Sequence, residues 1–158
     1  MATATQTFQL GLKATLSVST TSTGTFTPVN KLSKITFGAD KVDYIDVTDL
    51  NAPSGVTGGQ PRKQSAPGLI TPGDVTVTGF LIPAGDPGQL LVTAAFDVQT
   101  LLYWQLQFAP VAGQTTGALQ TFVGYVSTRP TMDASMTDAV TFNFTVQQTD
   151  APTYTAGS

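Results

Sequence analysis

Four aspartates, Asp40, Asp43, Asp46 and Asp49, recur at every third residue. Carboxylates so closely spaced could hold a divalent cation or share a proton as general acid and base. On a strand, however, a spacing of three sends Asp40 and Asp46 to one face and Asp43 and Asp49 to the other. They converge only if the strand bends. A calcium loop is also excluded, because Val42 and Tyr44 stand at the third and fifth positions counted from Asp40 and no glutamate closes the loop. Capping of a turn by Asp49 and Asn51 is the better reading.

Other chemistry fares no better. The sequence has no cysteine and no histidine, so thiol catalysis, disulfides and the usual zinc sites are out of reach. Ser and Thr hydroxyls are plentiful, but without histidine they need a lysine or amino-terminal base, and none of the five lysines sits in a recognisable motif. Ten aspartates make a glycosidase-type pair arithmetically possible, and nothing selects one. GVTGG is not a phosphate loop, since no Lys-Ser or Lys-Thr follows it. The expectation is a protein that is not an enzyme, with no catalytic residue, metal or cofactor.

Charge narrows the partners. Only 11% of residues are charged, against an average near 25%, and the formal net charge is −3. The few basic residues are scattered, whereas a nucleic-acid footprint gathers Lys and Arg on one face. No secretory signal is evident in MATATQTFQLGLKATLS, and no apolar run approaches the length of a membrane-spanning helix.

The elements that would carry any site are mostly strands. KATLSVST, LLYWQLQF and AVTFNFTVQ alternate apolar and polar residues with a period of two. In the last of these, Val140, Phe142, Phe144 and Val146 are expected in the core, and Thr141, Asn143 and Thr145 on a wet face. In LLYWQLQF the wet face holds Gln105 and Gln107, while Trp104 falls on the apolar side. KLSKITF, VDYIDVTDL, DVTVTGFLI and ALQTFVGYVS add further strands, for about seven or eight in all. The wet faces are filled by Thr, Ser, Asn and Gln.

One segment breaks the period. In GDPGQLLVTAAFDVQTLL, Asp86 is placed to be an N-cap, Pro87 stands at N1 and Gln89 at N3, close to a capping box. Leu90, Leu91, Ala94, Ala95 and Val98 recur with helical spacing and predict an apolar stripe on a helix of about ten residues. The whole chain, 1–158, reads as a single domain, all-β with one short helix, with loosely held termini. Residues 51–73, rich in proline and glycine, read as a long flexible loop, which in a compact domain usually has a job.

Three segments in order, YIDVTDLNAPSG, PGLITPGDVTVTGFLIP and GDPGQLLVTAAF, resemble the tail-tube (major tail) proteins of long-tailed non-contractile bacteriophages such as lambda and of related gene-transfer particles. The resemblance rests on Asp46, Thr48, Asn51 and Pro53 at a strand end, on Pro67, Gly68 and Leu69 leading into the strand from Val75 to Phe80, and on Pro87, Gly88 and Gln89 opening the helix. It covers roughly residues 30 to 105. Where relatives often have Gly-Glu after the loop, this chain has Gly73-Asp74.

This resemblance implies a β-sandwich or barrel of the tail-tube type, whose inner sheets join into a ring-shaped barrel. It implies a structural virion protein, synthesised in the host cytoplasm, forming stacked and hexameric rings through which DNA is ejected. Its partners would be copies of itself, the tape-measure protein and other tail proteins. Double-stranded DNA would pass without specific binding, and no membrane is involved. The long loop would contact the neighbouring ring or subunit through Val56, Gly58, Gly59, Arg62, Lys63 and Gln64. Candidates for the lumen are Thr141, Asn143 and Thr145, or Gln105 and Gln107. Six subunits giving four strands each, at about 4.8 Å spacing and a tilt of about 40°, would make a backbone ring about 48 Å across, wide enough for a duplex. The alternatives are a β-sandwich binding module of a virion, or another ring-forming protein such as a tail terminator or a secretion-system tube protein.

Overall fold

The structure is a computed structural model that describes residues 13–46, 65–133 and 138–158. In chain order the elements are β1 (Thr15–Ser19), β2 (Thr27–Val29), β3 (Leu32–Phe37), β4 (Lys41–Asp46), β5 (Ser65–Thr71), β6 (Asp74–Phe80), α1 (Pro87–Val98), β7 (Leu102–Gln107), β8 (Leu119–Thr131), β9 (Thr141–Gln148) and β10 (Thr153–Thr155). The fold is thus mostly β with a single short helix, as the alternation predicts.

Eight strands form one antiparallel sheet in the order β2-β1-β7-β8-β9-β6-β3, with β10 pairing β8 beside β9. The period-two pattern sorts its faces. Leu16 and Val18 of β1 lie opposite Leu106 and Trp104 of β7, and Val75 and Val77 of β6 lie opposite Val146 and Phe144 of β9; all eight are buried. Trp104 stacks against Phe122 and Phe144 at centroid distances of 5.8 and 5.7 Å. These rings form the centre of one continuous core.

The sheet curls around this core without closing. Between β3 and β7 a cleft of about 390 Å³ remains, lined by Ala14, Leu32, Ile35, Phe37, Leu106 and Phe108 among others. Curling follows from strand twist together with bulges. Extra residues enter β3 near Ser33 and β8 beyond Val126, where the register with the partner strand slips.

The helix docks on β8, β2 and β1. Asp86 is its N-cap, with Pro87 in the first turn. The buried carboxylate accepts from Gln89 N at 3.1 Å, and also from Asn30 N at 3.3 Å and Asn30 Nδ2 at 2.6 Å. A capping box would turn the Gln89 side chain back to the cap residue. Here it ties the helix to the sheet: Nε2 donates to Phe80 O at 2.8 Å and Asn30 O at 3.2 Å, and Oε1 accepts from Ile82 N at 3.2 Å. Gly88 permits the approach, because a Cβ there would stand 2.3 Å from Pro28 O. The helix ends where Gln99 turns left-handed at φ 51° and Thr100 N reaches back to Ala95 O at 3.0 Å.

Two expectations change. The helix buries Gly88, Gln89, Val92 and Ala95, while Leu90, Ala94 and Val98 of the expected core stripe face outward. The inner face sets Gly88 against the backbone of β2 and places Val92 and Ala95 in the core, with Leu91 and Phe96 packed against it, so the helix is turned away from the expected stripe and Leu90, Ala94 and Val98 are left outside. The C-terminal segment, expected to be loosely held, is fastened. β10 pairs Thr153 with Thr121, and Ser158 O accepts from Thr115 N at 2.7 Å and Thr116 N at 2.9 Å. A three-residue strand was illegible from composition, yet backbone pairing is enough to anchor it.

Candidate assembly surfaces

β4 and β5 form a separate two-stranded ribbon that packs on no other strand or helix to a substantial extent. At its base Gly73 N donates to Asp40 Oδ1 at 2.9 Å, Gly38 N to Asp74 O at 2.7 Å, and Gln148 Nε2 to Gly73 O at 2.5 Å. The two backbones cross so closely that a Cβ on Gly73 would lie 2.2 Å from Gly38 O. The ribbon therefore leaves the sheet through a fixed neck.

Residues 65–71 of the expected 51–73 loop are thus a strand. Pro67 and Gly68 argue against a central strand, but in a two-stranded ribbon every residue has an unpaired side, where both are tolerated. The pairing Val42↔Ile70 and Tyr44↔Pro67 leaves one more residue in β5 than in β4, so Gly68 and Leu69 together oppose Asp43. After this bulge Ile70 returns to the face of Val42, Tyr44 and Pro67, whereas Ile45 and Ala66 occupy the opposite face. Large apolar side chains are exposed throughout: Tyr44 by 70%, Ile45 by 59%, Leu69 by 81% and Ile70 by 64%. Tyr44 and Ile45 fall within the expected strand VDYIDVTDL, whereas Leu69 and Ile70 lie in the stretch expected to be loop.

The expected loop contacts Val56, Gly58, Gly59, Arg62, Lys63 and Gln64 lie outside the described residues, as do Thr48, Asn51 and Pro53. The two lumen sets lie on β7 and β9, which pair with different stretches of β8, so they do not form one patch. Thr141, Asn143 and Thr145 stand opposite Phe80, Thr78 and Thr76 of β6, and Asn143 and Thr145 stand opposite Thr131 and Thr128 of β8. β3 extends this face with Lys34 and Thr36. The result is a broad hydroxyl and amide surface across four adjacent strands.

The Gln105 and Gln107 face is more encumbered. Gln107 Nε2 is committed to Gly117 O at 2.8 Å, and Gln105 borders a hollow that Ser22 and Phe26 also line. Among the described residues, which do not include Asp49, no group of three or more Asp, Glu, His or Cys is placed to hold a metal. Asp40 instead caps the ribbon neck. Trp104 is 1% exposed and cannot serve as a binding platform. No helix among the described residues is long and apolar enough to cross a membrane.

No protein-family model matches the sequence, and no curated protein does. Solved structures do match. The SPP1 tail tube aligns with a TM-score of 0.64 at 14% identity, over 95% of this chain and 80% of that one. The tail of the empty gene transfer agent particle, refined with C6 symmetry, gives 0.64 at 13% identity over 94% and 100% of the two chains. The tube-terminating cap of the anti-feeding prophage gives 0.62 at 15% identity over 99% and 96%. With its curled sheet, single capped helix and projecting ribbon, the chain has the fold of tail-tube proteins.

Proposed function

We propose that the protein is a structural tail-tube subunit of a virion, whose copies form rings that stack into a hollow tube conducting double-stranded DNA. The observation that carries this reading is the β4–β5 ribbon. An isolated two-stranded ribbon is marginal in water, and contiguous apolar exposure on this scale marks an interaction surface. The similar gene transfer agent tail is an assembly with C6 symmetry, which supports six subunits in each ring. Tape-measure and other tail proteins would meet the tube at its core and ends, and no catalysis is required of the subunit.

The polar face of β8, β9, β6 and β3 is the best candidate for the lumen, with Thr141, Asn143 and Thr145 at its centre. Four adjacent strands per subunit, six subunits, strand spacing near 4.8 Å and a strand tilt of about 40° give a barrel of about 48 Å, which admits a duplex. Its charged residues Lys34, on the edge strand β3, and Asp74, at the end of β6, are of opposite sign. Such a lining stays wet without gripping phosphate.

Likeness to the anti-feeding prophage cap favours a second reading, a ring that terminates a tube. Negative-stain microscopy with light scattering separates the two. Tubes of uniform bore growing with concentration support the tube subunit, single rings support the terminator, and monomers alone under assembling conditions would count against both.

A further inference from the structure

We infer that residues 8–12 of this chain lie in the open cleft between β3 and β7 of the same molecule and fill it with the side chains of Phe8, Leu10 and Leu12. The cleft has a volume of about 390 Å³. Of its apolar walls, Ala14, Leu32, Ile35, Phe37 and Phe108 pack on the core and are still only partly buried. Lys34 is the one charged residue among those that line it. A cleft of this size has room for several side chains. Water, at about 30 Å³ a molecule, would instead leave the apolar walls wet.

The chain itself leads to the cleft. The described residues begin at Lys13, and the next residue, Ala14, is part of the wall. Lys13 adopts φ 69°, a left-handed conformation uncommon outside glycine, so the chain ahead of it departs from the line of β1. Residues 8–12 read Phe-Gln-Leu-Gly-Leu, with apolar side chains at 8, 10 and 12. That is the period which turns one face of a strand toward a core. Extended at roughly 3.3 Å per residue, these five residues cover about 17 Å, close to the roughly 20 Å of the six residues of β3. Residues 1–12 carry no charged side chain, so docking them removes no side-chain charge from water. The cleft is open along its mouth, so the segment's backbone keeps water on that side while the three apolar side chains point inward. Attached beside the wall, the segment is presented at an effective concentration of the order of millimolar. A separate partner would have to outcompete it, which selects the chain's own segment as the occupant.

Two measurements test this, both at concentrations where the parent protein is monomeric. In isotope-labelled parent, nuclear Overhauser contacts are expected from Phe8, Leu10 or Leu12 to Ile35, Phe37, Leu106 or Phe108, and in a mixture of labelled and unlabelled chains they stay within one chain. Deletion of residues 2–11 is expected to raise the fluorescence of the apolar dye ANS at least about threefold and to lower Tm by about 4 °C or more. Deletion of residues 2–6, which spares the apolar alternation, is expected to change neither. The contacts are read on the intact chain, so the outcome does not depend on the truncated chain folding. Absence of the contacts, contacts only between labelled and unlabelled chains, or equal effects of the two deletions overturns the inference.

Discussion

Phe37 and Phe122 meet edge to face with ring centroids 5.4 Å apart, although β9 and β6 lie between their strands, β3 and β8, in the sheet. An edge strand and a central strand touch only if the sheet curls through its interior. This contact holds the curl at the open seam, where Phe37 also lines the cleft facing β7. It is the one aromatic pair described that bridges strands which are not neighbours or next-neighbours in the sheet.

Phe37→Ala should therefore destabilise the monomer by about 2–3 kcal/mol, below the roughly 3–5 kcal/mol for deleting a fully buried phenylalanine, because Phe37 is only partly buried. Urea unfolding followed by Trp104 fluorescence measures it. A loss below about 0.5 kcal/mol, within the range of ordinary surface substitutions, would show that the curl is set by backbone pairing alone.

Asp86→Ala is expected to cost about 2–3 kcal/mol, more than the roughly 1 kcal/mol of an ordinary N-cap. The carboxylate serves Asn30 as well as the helix, so its removal leaves three donors without their acceptor. A double-mutant cycle with Asn30→Ala checks the link. Additive losses would mean that the cap and the β2–β3 connection are independent.

Parts of this design were legible in the residues and parts were not. Phe142, Phe144 and Val146 alternate so cleanly with Asn143, Thr145 and Gln147 that β9 could be read directly, and Asp86-Pro87 marked the helix start. Local pattern carried both. The helix orientation was not legible, because Leu90 and Val98 look like core whereas the docked face is the one where Gly88 can approach strand backbone and Val92 and Ala95 enter the core. β5 was hidden by Pro67 and Gly68, whose loop preference is overridden where only one edge is paired. Pairings such as Val77↔Phe144 join residues far apart in sequence and leave no local trace.

Replacing residues 56–64 with a short Gly-Ser link should leave the monomer's stability within about 1 kcal/mol of the parent, since closure entropy varies slowly with loop length. Ser65 and Ala66 must be kept, because they belong to β5. If this segment contacts the next ring through Arg62 and Lys63, the variant folds and forms rings but no tubes. Normal tubes by microscopy would reduce the segment to a tether.

Asn143→Lys tests the lumen. Asn143 sits half-buried at the middle of the polar face, between Thr78 of β6 and Thr131 of β8. Each lysine that neutralises a phosphate adds to binding, and a tube repeats it in every subunit, so a weak interaction per subunit becomes a drag along the whole duplex. Assembly should be unaffected, while DNA ejection from virions built with the variant should slow. The slowing should be strongest at low ionic strength, where screening is weakest, and shrink as salt shortens the Debye length from roughly 30 Å at 0.01 M to about 8 Å at 0.15 M. The parallel substitution Gln105→Lys on β7 should leave ejection unchanged if that face lies away from the bore. Normal kinetics for Asn143→Lys together with slowed release for Gln105→Lys would move the lumen to the β7 face.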